Sequence, residues 1–322
     1  MGQPGTKWEL MDADFVPQEI DGRALLALRQ RSDGPGLLRL LGHAGTLAGT
    51  GALVLLTNGS LLLLPAMAVH GAVLVFLFAP LHETIHRTAF RSRWLNDAVA
   101  FFCGLWLLLP PEYFRAFHFT HHRFTQDPAR DPELAGGGRP ACRAAFFLHL
   151  TGLPYWTFQA RILAQHALGR IHEPFLSAAA GRRVVREARV VVAIYTGLAA
   201  LSVAFGSPLV LMLWLGPALL GQPWLRAFLA AEHMLCPLVP DMALNTRTTL
   251  TSRLVRYYGW NMSFHAEHHL APALPFHALP AAHGQLKSKL GVVSPGYGAV
   301  IHQIWVATAH GREHPLTVQE RN

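Results

Sequence analysis

Charge is scarce in this chain. Only 14% of its 322 residues are Asp, Glu, Lys or Arg, against about a quarter in an ordinary soluble domain. With 51% hydrophobic residues, that shortage argues against a solvated globule. Lysine is nearly absent. Lys7, Lys287 and Lys289 are the whole set, so the net charge of +8 and the pI near 9.9 rest on arginine. The arginines flank apolar runs, which points to topology determinants beside an anionic membrane surface and away from nucleic acid. Cysteine is sparse too. Cys103, Cys142 and Cys236 are far apart with no CxxC spacing, which excludes a disulfide framework and suits a reducing compartment. The first 36 residues are polar and of mixed charge, and no charged stretch leads into an apolar core and cleavage site, so no signal peptide is expected.

What the chain does have is long apolar stretches. No charged residue occurs from Leu40 to Leu81. A membrane helix needs about 20 residues, so the run holds two, and the turn signal Asn58-Gly59-Ser60 divides it. A second uncharged run, Val190 to Trp224, is broken at Gly206-Ser207-Pro208. The expected spans are about 37–57, 61–81, 184–205 and 209–230, with Pro217 and Pro223 kinking the fourth. Shorter apolar stretches at 98–111 and 144–160 read as interfacial or re-entrant helices, and 290–311 as a cytosolic packing helix after a turn. The turns at 58–60 and 206–208 are uncharged, whereas the N-terminal, 82–189 and C-terminal segments hold the arginines. The positive-inside rule then puts both termini and the middle segment in the cytoplasm. The expected fold is all-α and integral to the membrane. Four transmembrane helices form two hairpins, with interfacial helices and a histidine-rich cytoplasmic cap. Residues 1–36 read as a cytoplasmic segment and 37–322 as one membrane domain.

Nineteen histidines are too many for so apolar a chain without a ligand role. Three boxes collect eight of them: His82-Glu83-Thr84-Ile85-His86, His118-Phe119-Thr120-His121-His122 and His265-Ala266-Glu267-His268-His269. On a helix, positions i, i+3 and i+4 share a face, so each box is a claw of imidazoles. His233 lies just past the fourth expected span. The predicted topology places all nine on the cytoplasmic side, close to the bilayer. Nine imidazoles exceed the four ligands of one zinc and suit two higher-coordinate ions with open positions, although imidazole alone does not name the metal. Glu83, Asp127, Asp131, Glu232 and Glu267 are candidates to orient the rings.

HxxxH, then HxxHH, then a lone His, then HxxHH, resembles the membrane fatty acid desaturase and hydroxylase superfamily. The resemblance runs from about His82 to His283. It is carried by HFTHHRFTQDPARDPEL around the second box and WNMSFHAEHHLAPALPFHALPAAH around the third. It implies a cytoplasmic di-iron centre, four spanning helices, and O2-dependent desaturation or hydroxylation of a lipid-like substrate. The ligands carried over are His82, His86, His118, His121, His122, His233, His265, His268 and His269. No HPGG-type haem-binding stretch is present, so a separate electron donor, a ferredoxin or a cytochrome with its reductase, is expected.

Other features have plainer readings. His43 and His70, inside spans, read as neutral rings bonded to helix carbonyls. His277 and His283 read as packing or outer partners of the third box. Tyr113, Trp156, Trp224, Tyr257, Tyr258 and Trp260 read as an interfacial aromatic belt. The polar loop Asn245–Thr249 reads as capping or a lid. Arg182, Arg183, Arg186 and Arg189 read as headgroup contacts, or else as a dock for an acidic donor. Two rival functions remain. His82-Glu83-Thr84-Ile85-His86 is a literal HExxH, the zinc-protease motif, but a protease leaves two boxes unexplained. A metal transporter would put its ligands near the bilayer midplane, not at helix ends.

Overall fold

The computed structural model describes residues 22–135 and 139–309. The expected cytoplasmic N-terminal segment therefore lies largely outside the described residues, as do His310 and His314. The chain is built almost wholly of helices. In order they are α1 (Gly22–Leu28), α2 (Asp33–Leu56), α3 (Leu63–Val75), α4 (Phe78–Ile85), α5 (Arg93–Leu107), α6 (Pro111–Phe124), α7 (Pro132–Ala135), α8 (Arg143–Leu150), α9 (Leu153–Ala167), α10 (Ala178–Ala204), α11 (Gly216–His233), α12 (Met242–Asn245), α13 (Arg253–Tyr258), α14 (His265–Leu270), α15 (Leu279–Leu286) and α16 (Tyr297–Ala309). The only sheet among the described residues is two residues wide. It pairs β1 (Thr248–Thr249) in parallel with β2 (Val293–Ser294). The described residues divide into two compact units, one of 22–32, 117–135, 139–146 and 227–309, the other of 33–116 and 147–226.

The second unit carries the apolar helices. α2, the pair Leu63–Ile85 formed by α3 and α4, and α10 are long and apolar enough to cross a membrane. α5 and α6 form a fourth candidate, bent by 95°. The bend follows from sequence: Leu108 is left-handed (φ 53) and Pro110-Pro111 follow, and a residue before proline is driven out of the helical region. The hairpin between α2 and α3 turns where expected, with Gly59 at φ 78. α10 begins at Ser177, whose hydroxyl accepts the Ala180 N–H at 3.3 Å.

The helix ending in α11 opens with a π-helical segment, Leu211–Leu215. Pro217 has no N–H to return to the Leu213 carbonyl four residues back, and His70 Nε2 reaches that carbonyl at 3.1 Å. His43 Nε2 likewise lies 2.9 Å from the Val73 carbonyl, at the break where the Leu77 N–H turns to Leu74. Both histidines of the candidate spans thus meet helix carbonyls, as expected, and each does so at an irregular turn. The two helices meet at glycines. A Cβ on Gly71 would lie 2.0 Å from the Pro217 carbonyl oxygen, and one on Gly221 would lie 2.2 Å from that of Gly71. This is the small-residue contact by which membrane helices pack.

The first unit is built of short helices around Trp260, Met262, Leu274, Phe276 and Leu286, all buried. The expected aromatic belt fails here. Trp260 is fully buried with its ring 4.6 Å from that of Phe276, because left-handed Trp260 and Asn261 (φ 47 and 59) turn it inward before α14. In the second unit Tyr113 is buried against His166, ring centroids 5.0 Å apart, whereas Trp224 is exposed as a belt residue should be.

Candidate metal centre

Three short pieces of the first unit bring seven histidines together. α6 presents His118, His121 and His122 over its last two turns, α14 holds His265, His268 and His269 within one short helix, and His233 is the last residue of α11. All seven are buried. Six of them sort into two groups. His118, His122 and His268 have ligand atoms within 4.8 Å of one another, with His118 Nε2 3.0 Å and His268 Nε2 3.1 Å from His122 Nε2. His121, His233 and His269 form the other. There His233 Nε2 lies 3.2 Å from His121 Nε2 and 3.1 Å from His265 Nε2, and His269 Nε2 is also 3.1 Å from His265 Nε2.

The partners of the opposite ring nitrogens decide what these Nε2 atoms carry. His121 Nδ1 is 3.0 Å from Asp131 Oδ1, and His233 Nδ1 is 3.2 Å from the Asn245 carbonyl. Both partners only accept, so both Nδ1 atoms carry the proton. Thr125 Oγ1 donates to the His121 carbonyl at 2.7 Å and so accepts from His269 Nδ1 at 3.2 Å. In neutral rings the Nε2 lone pairs of His121, His233 and His269 therefore converge in a buried space. Lone pairs set face to face repel, and a cation between them removes the repulsion. The donor set fits an imidazole-bound metal.

Electrostatics favour ligand-ready rings. Burial, then the charge on His121, holds His233 down to about 3, and burial holds His269 well below its ordinary value. Both are neutral, the form that ligates. His121 behaves oppositely. Burial opposes its charge, but the Glu133 and Asp131 carboxylates outweigh burial and push it up to about 9. A proton on His121 would relieve one Nε2 contact, and a metal would relieve all of them.

The candidate orienting carboxylates divide. Asp131 holds His121. Glu232 lies 3.5 Å from His265 Nδ1. Glu267, fully buried, accepts from Thr248 Oγ1 at 2.5 Å and makes a very short contact with His283 Nδ1. Asp127 instead holds Arg130 Nε at 2.7 Å and the Ala129 N–H at 2.9 Å. In the second unit, His82 ends a turn of α4 with His86 following, ring centroids 5.1 Å apart, and burial depresses His86 strongly. Glu83 lies 3.8 Å from His82 Nδ1 and accepts from Thr88 Oγ1 at 3.0 Å.

Sequence reasoning did not find Thr125 or Asn245 as partners of the boxes, because a neutral hydroxyl or carbonyl carries no compositional signal. It left the Asn245–Thr249 loop undecided. That loop is buried, and Arg247 gives it a role. Its guanidinium donates to the Ala231 and Met234 carbonyls at 2.7 and 2.8 Å, and its N–H to that of Glu232 at 2.9 Å. A buried cation thus caps the end of the helix that carries His233.

Comparison with known proteins agrees with this chemistry. Residues 58–305 match the family model described as fatty acid desaturase. The chain is similar to the sn-1 oleoyl-lipid 12-desaturase of Picosynechococcus sp., 27% identical over 254 residues, 71% of this chain and 70% of the relative. It is also similar to the enzyme of the same name from Synechocystis sp., 27% identical over 253 residues, 69% and 67% of the two chains.

Proposed function

The chain belongs to the fatty acid desaturase family, and from that premise we propose that it is a membrane di-iron oxidoreductase that uses O2 to desaturate a lipid-bound acyl chain. The observation that carries this reading is the convergence of buried imidazole Nε2 atoms at 3.0–3.2 Å. In it, His121, His233, His265 and His269 would hold one iron, and His118, His122 and His268 are ligands of the other. His82 and His86 join the set on the sequence pattern. Two irons bound there would supply redox chemistry with O2 strong enough to take hydrogen from an unactivated C–H bond.

The chain's own part is position and exclusion. Asp131, the Asn245 carbonyl and Thr125 fix the ring tautomers so that Nε2 faces inward. Glu267, tied to Thr248 and His283, anchors α14. Burial of every box histidine in the first unit keeps water from the reacting carbon. Glu83, engaged by Thr88, has a structural task that makes it a poor general base for a protease. Four spanning helices in two hairpins, with both termini and 82–189 cytoplasmic, complete the proposal, with 37–322 acting as one domain. Electrons come from a separate ferredoxin or cytochrome with its reductase.

Desaturation is favoured over hydroxylation by the names of the two relatives. Lipid profiling of cells with and without the protein tests the choice. A product two hydrogens lighter, absent from the His118→Ala strain, supports desaturation. A product one oxygen heavier makes the enzyme a hydroxylase, and no oxygen-dependent change in either class overturns the proposal.

A further inference from the structure

The N-terminal part of α10 carries a row of arginines along a groove. Arg182, Arg186 and Arg189 stand at i, i+4 and i+7, on one helix face. All three line a groove of about 740 Å³ whose other walls include Ile171, Leu176, Val185 and Val190. That volume is in the range of small-molecule sites, roughly 300–1,000 Å³, and the walls are mostly apolar. The arginines are exposed.

The nearby carboxylates are committed elsewhere. Glu112 Oε2 takes Arg183 Nε at 2.9 Å, and Arg183 does not line the groove. Glu187 accepts the Glu112 N–H at 2.8 Å. Glu173 takes His166 Nε2 at 2.9 Å and the His172 N–H at 3.0 Å. Arg189 Nε donates to the Ala167 carbonyl at 3.0 Å. Arg182 and Arg186 have no carboxylate partner among the described residues. Like charges at i, i+4 destabilise a helix, and an apolar groove open to water is unfavourable too. One kind of ligand relieves both: an anion with an apolar tail.

We propose that this groove binds one anionic phospholipid, with its phosphate on Arg182 and Arg186 and acyl carbon against Ile171, Leu176, Val185 and Val190. The depth agrees. The arginines precede the uncharged part of a candidate spanning helix, from Val190 onward, so they lie at headgroup level and the apolar walls run toward the hydrocarbon. Free phosphate matches the arginines but leaves the apolar walls wet. An acidic protein matches the charge but does not fill the groove. The inference rests on α10 crossing the membrane and is independent of the metal.

Native mass spectrometry of the full chain in detergent micelles tests it, with dioleoylphosphatidylglycerol, dioleoylphosphatidylcholine and sn-glycerol 3-phosphate as separate probes. One phosphatidylglycerol should remain bound per chain, with the other two probes far weaker. The double variant Arg182→Gln/Arg186→Gln should lose about thirtyfold in affinity, at roughly fivefold per arginine. Leu176→Trp narrows the groove without touching charge and should also weaken phosphatidylglycerol. Histidine-bound iron and melting temperature, unchanged in both variants, report that the fold is intact. Equal binding of phosphatidylcholine, equal binding of glycerol phosphate, or undiminished phosphatidylglycerol in both variants would overturn the proposal. So would a double variant that keeps its lipid but loses affinity for a ferredoxin donor, which assigns the arginines to a protein.

Discussion

Asp131→Asn is the sharpest single perturbation of the proposed centre. The Asp131 carboxylate accepts four contacts in a buried site. Oδ1 takes His121 Nδ1 at 3.0 Å and the Glu133 N–H at 2.9 Å, and Oδ2 takes the Gln126 N–H at 2.8 Å with His121 Nδ1 also at 3.1 Å. Asparagine keeps one acceptor oxygen. Its amide NH2 must then face at least one backbone N–H that the carboxylate had satisfied. An orphaned buried donor costs about 1–3 kcal/mol, which for a chain of this size lowers the melting temperature by several degrees. The loss to the metal is separate. His121 no longer gives its Nδ1 proton to a full negative charge, so the ring is a weaker ligand and is free to turn. Loss of such a partner typically lowers metal affinity or activity by about 10–100-fold. Glu133→Gln is the control, since Glu133 is partly exposed and 3.7 Å from His121. Glu133 makes no hydrogen bond to the ring, so its loss should lower iron affinity less than Asp131→Asn does. Chelator competition on purified protein, followed by the absorbance of released iron, gives the affinities. An Asp131→Asn protein that holds iron as tightly as the parent would refute the assignment of Asp131 as the group that orients His121.

Arg247→Met should destabilise the chain by roughly 2–5 kcal/mol, because it leaves the Ala231 and Met234 carbonyls without their buried donor; Arg247→Lys should recover part of this, and thermal melts with parallel iron counts compare the two. Gly71→Leu should lower the melting temperature sharply, since even a Cβ would meet the Pro217 carbonyl oxygen at 2.0 Å, and overpacking costs about 1–3 kcal/mol or more; an unchanged melt would mean that the two helices do not cross there. Cysteines placed at 59 and 206 should label from outside intact cells while one at 130 does not, and labelling at 130 would invert the topology.

The sequence was most informative where periodicity and chemistry coincide. The boxes fall on helices because their spacing is helical, and His43 and His70 meet carbonyls because an imidazole in lipid has few other partners. The apolar runs were legible as spans for α2, Leu63–Ile85 and α10. The fourth run was less so, because a π segment before Pro217 breaks its regularity. Left-handed positions at Leu108, Trp260 and Asn261 left no signal, since none is glycine. Leu108 makes the bend between α5 and α6 together with Pro110-Pro111, and Trp260 and Asn261 turn the Trp260 ring inward. The Asn245–Thr249 loop was opaque for a related reason. Its polarity did not decide between capping and a lid, whereas in the fold Arg247 and Thr248 direct that polarity to buried carbonyls and to Glu267.

In the proposed centre these histidines hold redox-active iron. Elemental analysis of a catalytically active preparation, purified in detergent and assayed with ferredoxin, its reductase and O2, tests it most directly. About two irons per chain and negligible zinc are expected, the iron falling together with activity in His121→Ala and His268→Ala. An active preparation with one zinc and negligible iron would contradict it.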